Sequence, residues 1–255
     1  MITLHSRQEV TWGEFPAWRD DPQVVHAFST RRGGISDGPL NSLNLGRTPE
    51  ESELNLETNR RRFLSALSIA PQDLVHAVQV HGSNVVLARE PGVVQDCDGL
   101  ITDRAGLYLV IGVADCHVVF LASRDAKVVG ALHAGWRGIV GGILSNAVSL
   151  IQQEFDYTPE DLRIAISPGI GVCCYEVGPE VADQFPQETK EHRDGHWFAD
   201  LNRALLLRAR QLGIPENHTL SAQRCTSCEP DNWFSYRRDG GTTGRMWGII
   251  GRKGE

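Results

Sequence analysis

The chain has 255 residues, 41% of them hydrophobic, and a formal net charge of −7, a size that suits one large domain or two small ones. Its basic residues are scattered apart from the run Arg60, Arg61, Arg62, so neither a nucleic-acid backbone nor an anionic membrane is an expected partner. The longest apolar stretches, such as residues 107–114, fall far short of the roughly 20 residues that span a bilayer. The N-terminus carries charges and no apolar signal core, so a cytoplasmic chain with reduced thiols is expected.

In chain order, residues 24–46 start as a short strand and dissolve into a loop rich in Gly, Ser and Asn. Leu56, Arg60, Phe63, Leu64 and Leu67 follow at helical spacing. Val-rich and Ile-rich runs then predict strands at 74–80, 84–88, 106–114, 117–122 and 127–134. Residues 139–155 carry an apolar helical face of Ile139, Ile143, Leu144, Ala147, Leu150 and Ile151. A strand at 162–168 ends on Pro168, and a second helix starts at Asp200, a good N-cap, and stops at Gly213. The tail, 232–250, reads as a turn and loop leading to a final short strand. No internal repeat and no linker divides the chain, so one domain over residues 1–255 is expected. Strands occur in runs with helices between the runs, which predicts an α+β fold of mixed α/β layers, its mixed β-sheets flanked by helices.

Three of the predicted strands lead into a metal-capable residue: His81, Cys116 and His133. One at a time, such residues are ordinary core cysteines and histidines. Together they can converge on one sheet edge, where one thiolate and two imidazoles suit Zn²⁺ with a fourth position left open. Asp115 can orient a ligand, accept a proton or cap a turn, and His117, one residue past Cys116 on a strand, should face away from the site. Gly135, Gly138, Gly141 and Gly142 permit a sharp turn into a helix whose free N–H groups, helped by Arg137, can hold an anion, or else simply permit close packing. Cys225 and Cys228 form a Cys-x-x-Cys pair; a four-thiolate site would have to borrow the adjacent Cys173 and Cys174, and that adjacency argues against tetrahedral geometry. The segment 234–248, with Arg237, Arg238, Asp239 and Arg245, reads as either a plain hairpin or a loop supporting the site.

The pieces STRRGGIS, SLNLG, TNRRR, QVHG, DGLITD, ADC, HAGWRG, SPGIG, CCYEVG, DLNRA, CT and FSYRRDGGTTGRM occur in one order across about residues 26–250. In them the chain resembles the laccase-domain family of bacterial purine nucleoside phosphorylases, also described as polyphenol oxidases. The resemblance implies a single mixed α/β domain and a metal held by His81, Cys116 and His133. It also implies phosphorolysis of adenosine, inosine and methylthioadenosine, together with adenosine deamination. Ser29, Asn44 and Arg60 lie in matching pieces and are expected to contact phosphate. The residue after ADC is apolar in the family pattern and His117 here.

Four chemistries follow. Phosphorolysis needs an anion site, for which Arg60 and helix-end N–H groups serve, and a metal to polarise the base. A zinc-bound water with its pKa near about 7 can attack purine C6, with Asp115 as acid or base. A copper-dependent polyphenol oxidase is the alternative at the same trio, since Cu²⁺ also suits thiolate and imidazole; yet the chain's 9 histidines include no His-x-His pair, so a trinuclear copper cluster has no home. A cysteine hydrolase acting on cell-wall precursors would instead use Cys116 as nucleophile and His133 as base. The expected partners are a small-molecule purine nucleoside and phosphate, on a monomer or weak homodimer.

Overall fold

Residues 118–122 are apolar without a break, and side chains alternate across a strand, so a strand here must be covered on both faces. The computed structural model, which describes residues 1–19 and 21–254, covers it so. From the strand His117–Ser123, Val118, Phe120 and Ala122 pack into one apolar cluster and Val119 and Leu121 into another.

That strand belongs to a six-stranded mixed sheet in the order Thr219–Ser221, Leu162–Ile166, His117–Ser123, Val129–Ala134, Gly99–Thr102, Val85–Leu87. A seven-stranded mixed sheet runs Thr3–Arg7, Val10–Glu14, Val24–Ser29, Met246–Arg252, Tyr108–Val113, Leu74–Ala77, Gly92–Val94. The two sheets share a core in which Phe28, Leu109 and Ile111 of one meet Val118, Phe120 and Ala131 of the other. Helices Ile143–Phe155 and Leu201–Gln211 cover the far face of the six-stranded sheet through Ile143, Leu144, Ala147, Leu201 and Leu205. Helix Glu53–Leu67 covers the far face of the other through Phe63 and Leu64. The result is four layers, helix, sheet, sheet, helix, with a small third sheet of Glu176–Val177, His196–Ala199 and Lys190–Arg193.

Only Ala114, Asp115 and Cys116 separate the strand Tyr108–Val113 in one sheet from His117–Ser123 in the other. So short a crossing needs a sharp turn, and Asp115 makes it with φ 86°. Cys116 therefore stands at the seam between the sheets.

The helix predicted over 139–155 is broken: Trp136–Val140 and Ile143–Phe155 are separate, because Gly142 between them adopts φ 81°. The strand predicted at 74–80 ends at Ala77, and the final strand holds the middle of the larger sheet, between Val24–Ser29 and Tyr108–Val113. Among the described residues no helix is long and apolar enough to cross a membrane. Helix Leu201–Gln211 is capped as predicted: Asp200 accepts the Arg203 N–H at 2.8 Å, and Gly213 supplies a left-handed φ of 89° just past the end. Replacing Asp200 by Ala is expected to lower the unfolding free energy by about 1 kcal/mol in urea denaturation, with metal content unchanged.

Candidate metal centre

One ligand atom each from His81, Cys116 and His133 lie within 4.8 Å of one another, and the two imidazoles meet edge to face with centroids 4.8 Å apart. Each arrives from a different place. His133 lies in the strand Val129–Ala134, Cys116 at the seam, and His81 in the loop after Leu74–Ala77 with φ 60°. Only His133 is thus presented by a strand proper. The other two need something else to hold them.

For His81 and His133 that holder is Asp98, fully buried beside the strand Gly99–Thr102 and missed in the sequence. Its Oδ1 lies 2.7 Å from His133 Nδ1 and accepts the His81 backbone N–H at 3.0 Å; its Oδ2 accepts the N–H groups of Gly82 at 2.7 Å and Val80 at 3.2 Å. Burial opposes a charge on Asp98, but the His133 ring and the Gly82 and Val80 N–H groups outweigh it and hold the carboxyl below its usual range. A carboxylate at Nδ1 makes that nitrogen the N–H donor and leaves Nε2 with its lone pair toward Cys116 and His81.

These donors fit zinc: a thiolate and two imidazoles, one oriented by a carboxylate, with a fourth position facing the cleft. Burial and the neighbouring His133 lower the His81 pKa, which favours the neutral ring a metal needs. His133 behaves oppositely without metal: burial disfavours its charge, yet the Cys116 sulfur and the Asp98 hydrogen bond push its pKa up to about 9.

The glycines beside His133 serve close approach. A Cβ on Gly135 would lie 3.0 Å from Cys116 Sγ, and one on Gly138 only 2.8 Å from the Gly82 carbonyl oxygen. The helix they open, Trp136–Val140, is only five residues long, too short to form the anion-binding end expected of a continuous helix.

Asp115 lines the cleft, but its carboxylate is engaged, accepting the Thr226 hydroxyl at 2.6 Å and the Arg237 backbone N–H at 2.7 Å. The segment around Arg237 therefore supports the site. His117 faces away, buried, its Nδ1 2.8 Å from the Ser167 carbonyl oxygen. Ser29 and Asn44 do not line the cleft. Both are fully buried, Ser29 Oγ accepting the Trp247 N–H and Asn44 bonding Gly46, Glu51 and the Arg245 N–H, so internal groups take the polarity read as anion-binding.

Arg60 and Arg137 do line the cleft, which measures about 860 Å³, within the range of small-molecule sites. Arg47, Arg237 and Arg245 join them, and Asp115 is the one carboxylate among the lining residues. This wall is cationic although the whole chain carries −7. Tyr175, Tyr236, Trp136 and Trp247 supply flat apolar surface, with the Arg60 guanidinium 4.9 Å from the Trp247 ring and Arg137 4.4 Å from Trp136. Trp136, in the piece HAGWRG, both packs on the helical core and faces the cleft.

Residues 25–253 match the model of the multi-copper polyphenol oxidoreductase laccase family. The chain belongs to this family. It is 43% identical over 235 residues to a purine nucleoside phosphorylase of Deinococcus radiodurans, covering 89% of each chain. It is 38% identical over 250 residues to the purine nucleoside phosphorylase YlmD of Geobacillus stearothermophilus, covering 91% of each. The crystal structure of that YlmD superposes with a TM-score of 0.92 at 35% identity, over 99% of both chains. The Bacillus licheniformis protein YfiH follows with a TM-score of 0.90 at 30% identity, over 98% of this chain and 99% of that one. The mixed α/β fold expected from the sequence is thus the fold of these relatives.

Asp98→Asn should weaken zinc binding by about 10- to 100-fold in a chelator competition titration, because one amide cannot accept from the His81, Gly82 and Val80 N–H groups and the His133 ring together. Zinc affinity should also rise with pH up to about 9, since binding expels the proton that Cys116 and Asp98 hold on His133, and fall as acid restores it. A zinc titration with the same pH series checks the sign: affinity flat or falling with pH would refute it.

Proposed function

We propose that this family member is a zinc-dependent purine nucleoside phosphorylase acting on adenosine, inosine and methylthioadenosine, with adenosine deamination at the same centre. The observation that carries the reading is the pairing, in one cleft, of a cationic wall and aromatic faces with the His81, Cys116 and His133 donor set. A flat purine fits between aromatic side chains, and phosphate needs the arginines. The relatives named as purine nucleoside phosphorylases support purine nucleosides as the substrate class.

In phosphorolysis a phosphate oxygen bonds to the ribose C1′ as the bond from C1′ to the purine nitrogen breaks, and the purine leaves with a proton. Arg60 and Arg137 hold and orient phosphate against C1′ and offset its charge. Trp136 and Tyr175 shield the base from water. A zinc ion held by His81, Cys116 and His133 supplies Lewis acidity toward the purine and toward water. Asp115, with both oxygens engaged by Thr226 and Arg237, best serves as the residue that positions Cys116 at the seam.

A second reading has its own observation. Cys116 and His133 are hydrogen-bonding neighbours, and the Cys116 sulfur raises the imidazole pKa, as in a cysteine nucleophile with its base. Copper oxidase chemistry is weaker: among the described residues the groups able to hold a metal are this trio and one set of four cysteines, and neither supplies the imidazoles of a trinuclear copper cluster.

Incubation with adenosine and phosphate is expected to yield adenine and ribose 1-phosphate, with inosine from deamination, and chelation should abolish all three. Activity that survives complete metal removal would transfer the chemistry to Cys116 as nucleophile. Arg60→Ala and Arg137→Ala should each raise the KM for phosphate by about 10-fold or more, the loss of one charge-assisted hydrogen bond, while the bound zinc stays unchanged. An unaltered phosphate KM in both variants would remove the arginine wall from the reading.

A further inference from the structure

The other four exposed or half-buried thiols form a second centre. Cys173, Cys174, Cys225 and Cys228 are far apart in sequence as two pairs, yet their sulfurs all lie within 4.8 Å of one another. Cys228 Sγ is 3.5 Å from Cys173 Sγ and 3.4 Å from Cys174 Sγ. Four sulfurs around a zinc ion at about 2.3 Å sit about 3.8 Å apart, so the cluster needs to adjust by only a few tenths of an ångström to around one ångström. We propose that Cys173, Cys174, Cys225 and Cys228 form a structural tetrathiolate zinc site.

In the sequence the adjacency of Cys173 and Cys174 argues against tetrahedral geometry, and on a strand, where neighbours point to opposite faces, it would prevent it. The two are not on a strand. Cys173 and Cys174 occupy a tight turn, closed by the Cys174 and Tyr175 N–H groups donating to the Gly171 carbonyl, and on such a turn neighbouring side chains diverge far less. Cys225 and Cys228 bracket a second turn. A bridge between Gly169 and Cys225 sets the two turns side by side, and the Gly171 N–H donates to Cys225 Sγ at 3.2 Å, the kind of bond that stabilises a thiolate. Each thiol gives its proton to solvent as its bond to zinc forms.

The centre has work to do at its position. Tyr175, next to Cys174, lines the cleft, and Thr226, between Cys225 and Cys228, donates to Asp115. Zinc here would staple together the two turns that support one wall of the cleft and the seam residue beside Cys116.

Metal analysis of the full chain, purified under reducing conditions and equilibrated with zinc, should give two zinc ions per chain. Cys228→Ser should hold one, with a lowered Tm. His81→Ala/Cys116→Ser, which leaves the cluster untouched, should also hold one, with an X-ray absorption shell of four sulfurs at about 2.3 Å. That second variant keeps the test decisive if Cys228→Ser fails to fold. One zinc per chain in the unaltered protein that Cys228→Ser retains, none in His81→Ala/Cys116→Ser, or a Cys228 disulfide to Cys173 or Cys174 that once reduced takes up no zinc, would each overturn the proposal. Loss of phosphorolysis alone would not touch it, since the readout is metal per chain.

Discussion

The Asp98 carboxylate is the contact on which the candidate centre depends. It is buried, and its charge is compensated by the His133 ring and by three consecutive backbone N–H groups. Such a group is stable only when every partner is in place, because an uncompensated buried carboxylate is costly. Asp98 therefore selects two things together: the tautomer of His133 and the path of the loop through Val80, His81 and Gly82. The strained φ of 60° at His81 is what that path requires, and the three hydrogen bonds offset it.

The other ligand is placed by topology. A chain that leaves one sheet at Val113 and enters the next at His117 has three residues in which to turn, and a group at that point looks along the seam between the sheets. The turn is fixed from outside by Thr226 and Arg237 on Asp115 and by the Ile170 N–H on the Asp115 carbonyl. One ion at the trio would thus bridge a loop of the larger sheet, the seam and a strand of the smaller one. Such a site gains stability for the fold as it binds, in proportion to its preference for the native arrangement.

Much of this was legible in the sequence. Unbroken Val- and Ile-rich runs gave the central strands, and a capping Asp200 with a stopping Gly213 gave Leu201–Gln211, since local pattern and burial agree there. The convergence of His81, Cys116 and His133 was legible because three apolar runs share one kind of ending. Asp98 was not, because an Asp before a Gly reads as a turn and its partners lie 17 and 35 residues away. Ser29 and Asn44 misled for the converse reason: loop polarity is satisfied internally when the loop folds inward, as the hydrogen bonds of Asn44 to Gly46, Glu51 and Arg245 record. The thin hairpin at Thr3–Glu14 carries little apolar alternation to detect in its first strand, where most side chains remain accessible.

The cationic wall follows from the same economy of carboxylates. Arg60 is half-buried, and burial together with Arg47 lowers its pKa, yet a guanidinium keeps its charge under such pressure. Glu53 pairs with Arg47 at 2.7 Å, but the carboxylates nearest the other cleft arginines are engaged: Asp98 by the His133 ring and Asp115 by the Thr226 hydroxyl and the Arg237 backbone N–H. Arg137 and Arg245 lie close enough to His81 to disfavour its protonation, so the cationic wall also helps keep that ligand neutral. An anion entering the cleft meets charge already desolvated and fixed, which is where electrostatic attraction is strongest and reorganisation least. On the proposed function, the same arginines that make the empty cleft electrostatically unfavourable would give a phosphate its reason to bind beside the candidate ligand trio.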